Sequence, residues 1–127
     1  MSYNIIPTKR FEKEIKRLAK KYKSIKSEFA DLIDLISKNP KSGTYLGNNC
    51  YKIRMAISSK GKGKRGGARI ITYIYTQSHN NLYPKNKSSL SEQTDAVYLL
   101  TIYDKSETSN LKPNELKEMV DSLDLDC

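Results

Sequence analysis

The spacing of apolar residues changes partway along the chain, and this change restricts the possible folds more than any other feature. Before Gly43, apolar residues recur at the three- and four-residue spacing of helices. After Gly43, apolar and polar residues alternate, which is typical of a strand with one face on a core and the other in water. A chain of 127 residues suggests one domain. We therefore predict a single α+β domain spanning residues 1–127.

Two helices are predicted before Gly43. A short strand at Tyr3–Ile6 precedes the first helix, for which Thr8 is the expected cap. The side of this helix away from its apolar stripe is mostly Lys and Arg. The second helix ends at Asn39-Pro40, because proline disfavours helical backbone in the residue before it. The apolar positions are Phe11, Ile15, Leu18 and Tyr22 in the first helix, and Ile25, Phe29, Leu32, Ile33 and Ile36 in the second.

Three strands and a final helix are predicted after Gly43, so that the order is β-α-α-β-β-β-α. Residues 51–58 alternate, and Lys52 and Arg54 therefore project to the same side. A glycine-rich loop at 60–67 leads into β-prone residues 69–75, which indicates a hairpin. Residues 97–103 are apolar on both faces and belong inside the sheet, after a polar loop excursion at 77–95. Pro113 opens the last helix, whose apolar stripe is Leu116, Met119, Val120 and Leu123.

The formal net charge of +9 is concentrated in the middle of the chain. Residues 35–91 contain eleven Lys and Arg and no Asp or Glu, whereas residues 92–127 contain nine acids and three lysines. A single surface lysine is usually only solvated, but eleven cations without an interspersed acid favour a polyanionic partner. The sequence therefore predicts that the middle segment binds nucleic acid.

The glycine-rich loop does not fit a nucleotide-binding motif. Gly61, Gly63 and Gly66 match the GxGxxG spacing, but a strand rather than a helix is predicted after the loop, and no acid follows about twenty positions later. The loop is either a flexible hairpin tip with solubilising lysines or a loop that grips phosphate. The single histidine, His79, lies in the polar excursion and is predicted to be an exposed spectator. A histidine-based nuclease is therefore not expected.

Cysteine usage and hydropathy predict a cytoplasmic protein without a cofactor. Cys50 and Cys127 are too few for a disulfide framework, and no CxxC or His-rich segment accompanies them to form a metal site. The first residues do not resemble a signal peptide, and no apolar stretch approaches membrane-spanning length. We expect no bound metal and no membrane partner.

Two segments resemble the RelE/ParE superfamily of bacterial toxin-antitoxin systems, in particular the RelE- and HigB-like mRNA interferases. Residues 51–73 read YKIRMAISSKGKGKRGGARIITY, with a YKxR motif, a GKGKxGG loop and an arginine opening the next strand. Residues 97–116 read VYLLTIYDKSETSNLKPNEL, in which a strand ends in YDKSE before a helix. The resemblance implies a RelE-like fold: a two-helix N-terminal layer packed on a small, mainly antiparallel β-sheet, with a C-terminal helix.

The resemblance also implies which residues form the site. It places Arg69 at the family's strand arginine and Lys105 at the basic residue after the last central strand. The family's C-terminal tyrosine falls at Leu111, so Tyr103, Tyr73 or a lysine is expected to substitute for it in acid-base work. The catalytic candidates are Arg69, Lys105, Arg54, Lys62, Lys64 and Tyr103, and the RNA-binding candidates are Lys52, Lys60, Arg65 and Tyr73.

The function implied by the resemblance is that of a type II toxin, an endoribonuclease that cleaves translated mRNA at the ribosome. Attack of a 2′-hydroxyl on its own phosphate needs in-line positioning and charge stabilisation, which Arg and Lys can supply. The expected partners are an acidic antitoxin, mRNA and the 70S ribosome. Two alternatives stay open: a ParE-like inhibitor of DNA gyrase, and a non-catalytic RNA- or ribosome-binding module.

Overall fold

The computed structural model describes residues 3–60, 67–75, 95–105, 107 and 112–123. Their elements follow the order β-α-α-β-β-β-β-α. The helices are α1 (Lys9–Lys21), α2 (Ile25–Lys38) and α3 (Pro113–Asp121). The strands are β1 (Tyr3–Pro7), β2 (Thr44–Gly47), β3 (Cys50–Met55), β4 (Ala68–Tyr75) and β5 (Asp95–Asp104), and a short 3-10 turn (Ser58–Lys60) follows β3.

The strands form one sheet in the spatial order β1-β5-β4-β3-β2. Strand β1 pairs with β5 in parallel, and the other three neighbouring pairs are antiparallel. The predicted α+β class and mainly antiparallel sheet are therefore confirmed. Strand β5 lies between β1 and β4, as its apolar residues on both faces predict.

Helix α1 begins where the sequence predicts it. Thr8 is in extended conformation and its Oγ1 accepts a hydrogen bond from the N–H of Phe11, so the side chain caps a free amide of the first turn. The Thr8 hydroxyl also lies within hydrogen-bonding distance, 3.1 Å, of the carbonyls of Leu99 and Leu100. The same residue therefore caps the helix and fixes its start against β5.

The two faces of the sheet carry two separate apolar clusters. Helices α1 and α2 pack on one face, where the buried side chains include Phe11, Leu18, Ile25, Leu32 and Ile36 from the helices and Ile53, Ile70, Leu99 and Ile102 from the strands. Helix α3 packs on the other face, where Met119 joins Cys50, Ile71, Leu100 and Tyr103. Since apolar burial scales with area, the larger two-helix face holds most of the core.

The predicted order lacks one strand. Strand β2 pairs with β3 through a two-residue turn, Asn48-Asn49, in which both residues have positive φ, 51° and 62°. Such a turn suits the twist of an antiparallel hairpin. Strand β2 escapes prediction because it has four residues and three of them are exposed, so it shows no alternation. The following strand also ends at Met55, three residues before the predicted end of the alternating run.

Gly43 and Gly67 lie where the backbone leaves no room for a side chain. Gly43 has a φ of +97° and lies against the carbonyl of Lys52. Gly67 lies against the carbonyl of Met55 at the start of the β3–β4 pair. The rest of the predicted glycine-rich loop, with Gly61, Gly63 and Gly66, and most of the polar excursion, with His79, lie outside the described residues.

Candidate functional site

Three predicted site residues form one row across the sheet. Arg54 on β3 lies opposite Arg69 on β4, and Arg69 lies opposite Tyr103 on β5. Their neighbours along the strands, such as Ile53 and Ile70, belong to the cluster under α1 and α2. Because side chains alternate along a strand, the row lies on the opposite face, which we call the α3 face. We call these three residues the Arg54–Arg69–Tyr103 row.

Exposure differs along the row. The Arg54 side chain is exposed, whereas Arg69 and Tyr103 are only 3% and 8% exposed. The Arg69 Nη1 donates a hydrogen bond to the carbonyl of Ala68 at 3.2 Å. A charged arginine at the edge of a buried surface is therefore held in a fixed orientation, next to a second arginine that is open to water.

The electrostatics of the row favour an anion. Burial lowers the pKa of the Arg69 guanidinium, and the neighbouring Arg54 lowers it further, while Tyr103 acts in the opposite sense. An arginine nevertheless stays charged at neutral pH. Burial raises the pKa of the Tyr103 phenol, although Arg69 opposes this shift. At neutral pH the row thus contains two positive charges and one protonated phenol, and of these three side chains only Arg54 is exposed to solvent.

Lys105 lies directly after β5, close to the row. Its backbone N–H donates to the carbonyl of Gly67 at 3.0 Å, which extends the β4–β5 pairing by one residue beyond Ala68 and Asp104. The close approach of Gly67 to β3 brings the ends of all three strands together. The Lys105 side chain is half-buried. Sequence reasoning named Lys105 but missed Gly67, the backbone position that brings it to the row.

The remaining described candidates lie farther along the same face. Lys52 is two residues from Arg54 and lies opposite Ile71, and its side chain is half-buried. Tyr73 is four residues from Arg69, which corresponds to about 13 Å along a strand. The centroid of its ring lies 6.4 Å from that of Tyr98. Burial is the largest of several causes that raise the pKa of the Tyr73 phenol. The structure thus brings Lys52 near the row and places Tyr73 at the other end of the face.

Four other predicted site residues cannot be placed in this geometry. Lys62, Lys64 and Arg65 lie outside the described residues, as does Leu111, where the family's C-terminal tyrosine falls. Lys60 is described only as the last residue of the 3-10 turn. The predicted contribution of this loop to the site stays a prediction.

Helix α3 covers part of the face that carries the row. Its Met119 is 7% exposed and belongs to the same cluster as Tyr103, and Leu116 and Val120 pack against that cluster. Glu115 and Glu118 are on the exposed side of the helix. Apolar side chains of this short helix therefore pack in the same cluster as Tyr103, while its acids face solvent.

A hydrogen-bonded network that sequence reasoning missed holds the chain entering the glycine-rich loop. The carboxylate of Glu28 on α2 accepts from the N–H of Ser58 at 2.7 Å and from its hydroxyl at 2.6 Å. The other Glu28 oxygen accepts from the Ser24 hydroxyl at 3.0 Å, and that hydroxyl accepts from the N–H of Ser59. Nothing in the spacing of a polar helix face identifies such a long-range partner, so the sequence carries no signal for it.

A second missed cluster holds the segment after Lys105. Glu107 accepts from Arg17 at 2.7 Å and from Lys21 at 3.1 Å, both on α1. These bonds lower the pKa of the Glu107 carboxyl below its usual range. The nearby Tyr22 hydroxyl donates to the buried carboxylate of Asp104 at 2.9 Å. The end of β5 is therefore tied to α1 on the side of the sheet opposite the row.

Among the residues that the structure describes, no three His, Cys, Asp or Glu side chains are grouped as ligands of a metal ion. None of the described helices is both long and apolar enough to cross a membrane.

Comparison with known proteins identifies the fold. No protein-family profile matches the chain. Among solved structures, the chain is similar to that of the E. coli toxin RelE in the free state, in a mutant form with two arginines replaced by alanine. The TM-score is 0.53 with 15% sequence identity, over 97% of this chain and 99% of that one. The protein therefore has a RelE-like fold, which confirms the fold that the two sequence segments imply.

Proposed function

We propose that this protein is a toxin of a type II toxin-antitoxin system and that it cleaves mRNA during translation. The observation that carries the proposal is the Arg54–Arg69–Tyr103 row, which places two cations and a phenol side by side on one sheet face, next to Lys105. The RelE-like fold supports the assignment by analogy. A shared fold does not by itself give a function, so the proposal depends on the chemistry of these side chains.

The proposed reaction is an internal transfer at one phosphodiester. The 2′-oxygen of a ribose forms a bond to the adjoining phosphorus while the bond from phosphorus to the 5′-oxygen breaks. The products are a 2′,3′-cyclic phosphate and a 5′-hydroxyl. The 2′-hydroxyl proton goes to a base and the departing 5′-oxygen receives a proton, so no oxidant, reductant or metal is consumed.

Each member of the row has a proposed part in this reaction. Arg54 and Arg69 contact the non-bridging oxygens, where negative charge develops in the phosphorane, and such preorganised charge is often the largest catalytic contribution. Tyr103 stays protonated at neutral pH because burial raises its pKa, so it donates a proton or hydrogen bond to the departing oxygen. The same shift makes Tyr103 a poor base. We assign the role of base to a lysine of the Lys- and Arg-rich middle segment, residues 35–91. We assign RNA binding to Lys52 and Tyr73.

The proposed partners follow from the charge of the α3 face. An mRNA strand occupies the row when the toxin is active, with the ribosome presenting the strand in a bent form that favours in-line attack. An acidic antitoxin covers the same face when the toxin is inactive. Complementary charge of this kind speeds association and makes its rate fall as salt rises.

Induction in a bacterial host tests the proposal. We expect the unmodified chain to stop growth and to produce new RNA ends inside coding regions within minutes. Arg54→Gln and Arg69→Met are expected to abolish both effects, whereas Lys38→Gln, an exposed charge change on α2, is expected to preserve them. Melting curves of each purified variant distinguish lost chemistry from lost folding.

The alternatives give different results in this experiment. Growth arrest with intact RNA and inhibited DNA supercoiling would identify a gyrase inhibitor. Growth arrest with intact RNA and normal supercoiling would favour a non-catalytic ribosome-binding module. Full RNA cleavage by folded Arg54→Gln and Arg69→Met variants would contradict the assignment of the site.

A further inference from the structure

The solvent-facing side of α1 carries a straight line of lysines. Lys9, Lys13, Lys16 and Lys20 are separated by four, three and four residues, so at 3.6 residues per turn they lie within about 60° of one another around the helix axis. All four are exposed. They extend over about 16 Å of the helix at a rise of 1.5 Å per residue. We call these four residues the lysine stripe.

The lysine stripe faces away from the core. Phe11 and Leu18, the buried residues of α1, lie on the opposite side of the helix, against the sheet. Among the described residues, the ion pairs of α1 involve Arg10, Arg17 and Lys21, and no carboxylate lies within 4.0 Å of a stripe lysine. The four ammonium groups are therefore available to a partner.

The fold does not explain the lysine stripe. Like charges three or four residues apart destabilise a helix, and the stripe contains three such pairs. The helix dipole disfavours a cation in the first turn, where Lys9 lies, and favours one in the last turn, where Lys20 lies, so it does not account for the stripe as a whole. A surface helix can be soluble without this cost.

Helix α2 provides an internal comparison. It carries two lysines and three acids, a net charge of −1, and its Lys38 pairs with Asp34. Helix α1 carries seven cations and two acids, a net charge of +5. Two neighbouring helices on the same face of the sheet thus differ by six in net charge. Packing against that face therefore does not by itself require the lysine stripe.

We propose that the lysine stripe is a second RNA-binding surface that docks on the phosphate backbone of double-stranded RNA. Lysines at intervals of about one helical turn match a repeating line of phosphates, and phosphate contacts position a protein without reading sequence. The apolar side of α1 is buried in the core, which argues against a membrane surface, where an amphipathic helix inserts its apolar side. The exposed large apolar residues of the described chain, Ile6, Leu35, Tyr45 and Leu46, lie outside α1.

This surface is separate from the proposed cleavage site. The lysine stripe is on the solvent-facing surface of α1, which packs on one side of the sheet, and the Arg54–Arg69–Tyr103 row lies on the other side. Both surfaces can be occupied at once. The protein would then hold structured RNA with α1 while a single strand lies on the α3 face. The inference does not depend on whether the row cleaves RNA.

Binding of the full-length protein to a labelled 16-base-pair RNA duplex, measured by fluorescence anisotropy between about 0.05 and 0.3 M salt, tests the proposal. The stripe variant changes Lys9, Lys13, Lys16 and Lys20 to Gln. The matched control changes four other exposed lysines to Gln, namely Lys23, Lys26, Lys112 and Lys117, so the two variants have the same net charge.

The stripe variant is expected to bind the duplex at least tenfold more weakly at about 0.1 M salt, and its salt slope should fall by about 3 to 4, since each phosphate contact contributes about 1. The control should keep most of the affinity and slope. A Lys→Arg version of all four stripe positions should bind like the unmodified protein. If the fourfold Gln variant fails to fold, Lys13→Gln with Lys20→Gln should give about half the loss of slope.

Three results would overturn the proposal. The first is equal weakening in the stripe variant and the control, which would indicate only a dependence on net charge. The second is unchanged duplex binding by the folded stripe variant. The third is loss of binding to phosphatidylserine vesicles, or to an acidic protein partner, with duplex binding intact. The induction experiment separates the two proposals, because Arg54→Gln should abolish RNA cleavage whether or not the lysine stripe binds the duplex.

Discussion

The positive charge of Arg54, a proposed catalytic residue, is expected to lower the free energy of unfolding of the domain. It lies directly opposite Arg69 in the β3–β4 register, and the two like charges contribute to the lowered pKa of Arg69. Like charges in directly opposed strand positions are unfavourable. Removing the exposed partner should therefore relieve repulsion without opening a cavity, since the Arg54 side chain is exposed.

The size of the effect follows from the cross-strand pair. Such pairs contribute roughly 0.2–1 kcal/mol. For a domain of 127 residues the unfolding entropy is about 270 cal/mol/K at about 2.1 cal/mol/K per residue. Arg54→Gln should therefore raise the melting temperature by about 1–4 °C. In the same protein the rate of RNA cleavage should fall about 10²–10³-fold, the usual cost of losing one group that stabilises transition-state charge.

Thermal melts followed by circular dichroism measure the stability change, and Lys52→Gln is the matched control. Lys52 is on the same strand and the same face, but its opposed residues are Thr44 and Ile71, neither of which is charged. The gain from Arg54→Gln should shrink as salt rises, because salt screens the repulsion. A lower melting temperature for Arg54→Gln at low salt, or an equal gain for Lys52→Gln, would refute this reasoning.

Three further predictions concern the scaffold around the site. Glu107→Gln should cost about 0.5 kcal/mol at pH 7, a small value because the Glu107 side chain is 34% exposed. Because the pKa of Glu107 is lowered, this stabilisation is present above the usual carboxyl pKa and disappears as the pH falls through the lowered value. In urea titrations the unmodified protein should therefore be more stable than Glu107→Gln at pH 7 and equally stable near pH 2. Gly67→Ala should cost about 1–3 kcal/mol, because the added methyl meets a backbone carbonyl, and an unchanged urea midpoint would contradict this close approach. Met119→Ala should weaken the docking of α3 by about 2 kcal/mol, and hydrogen exchange should then accelerate in α3 but not in β4; equal acceleration in both would show that α3 does not open separately.

The sequence predicts the helices and central strands because each has a local pattern. The Thr8 cap, the apolar stripe of α1 and the doubly apolar β5 each depend on neighbouring residues, and the structure confirms all three. Strand β2 has no such pattern, because three of its four residues are exposed. The dipeptide Asn48-Asn49 is the sequence signal that could have revealed it, because asparagine tolerates the positive φ angles that a two-residue hairpin turn requires.

The candidate site could be predicted in part. Its residue types follow from the charge distribution and from the resemblance, which names Arg54, Arg69, Lys105 and Tyr103. The register that aligns three of them is a long-range property of strand pairing, and a shift of one residue would have sent their side chains to opposite faces. The contribution of Gly67 is equally hidden, since a glycine in a glycine-rich loop gives no indication of which strand it touches.

The chemistry of the RNA ends tests the central claim most directly. Purified protein is added to a translation complex stalled on a defined mRNA, and the termini of the fragments are identified by mass spectrometry. The account predicts a single-strand break inside the coding region with a 2′,3′-cyclic phosphate on one fragment and a 5′-hydroxyl on the other, both absent with folded Arg54→Gln or Arg69→Met. Intact mRNA, or fragments that carry a 5′-phosphate, would contradict it.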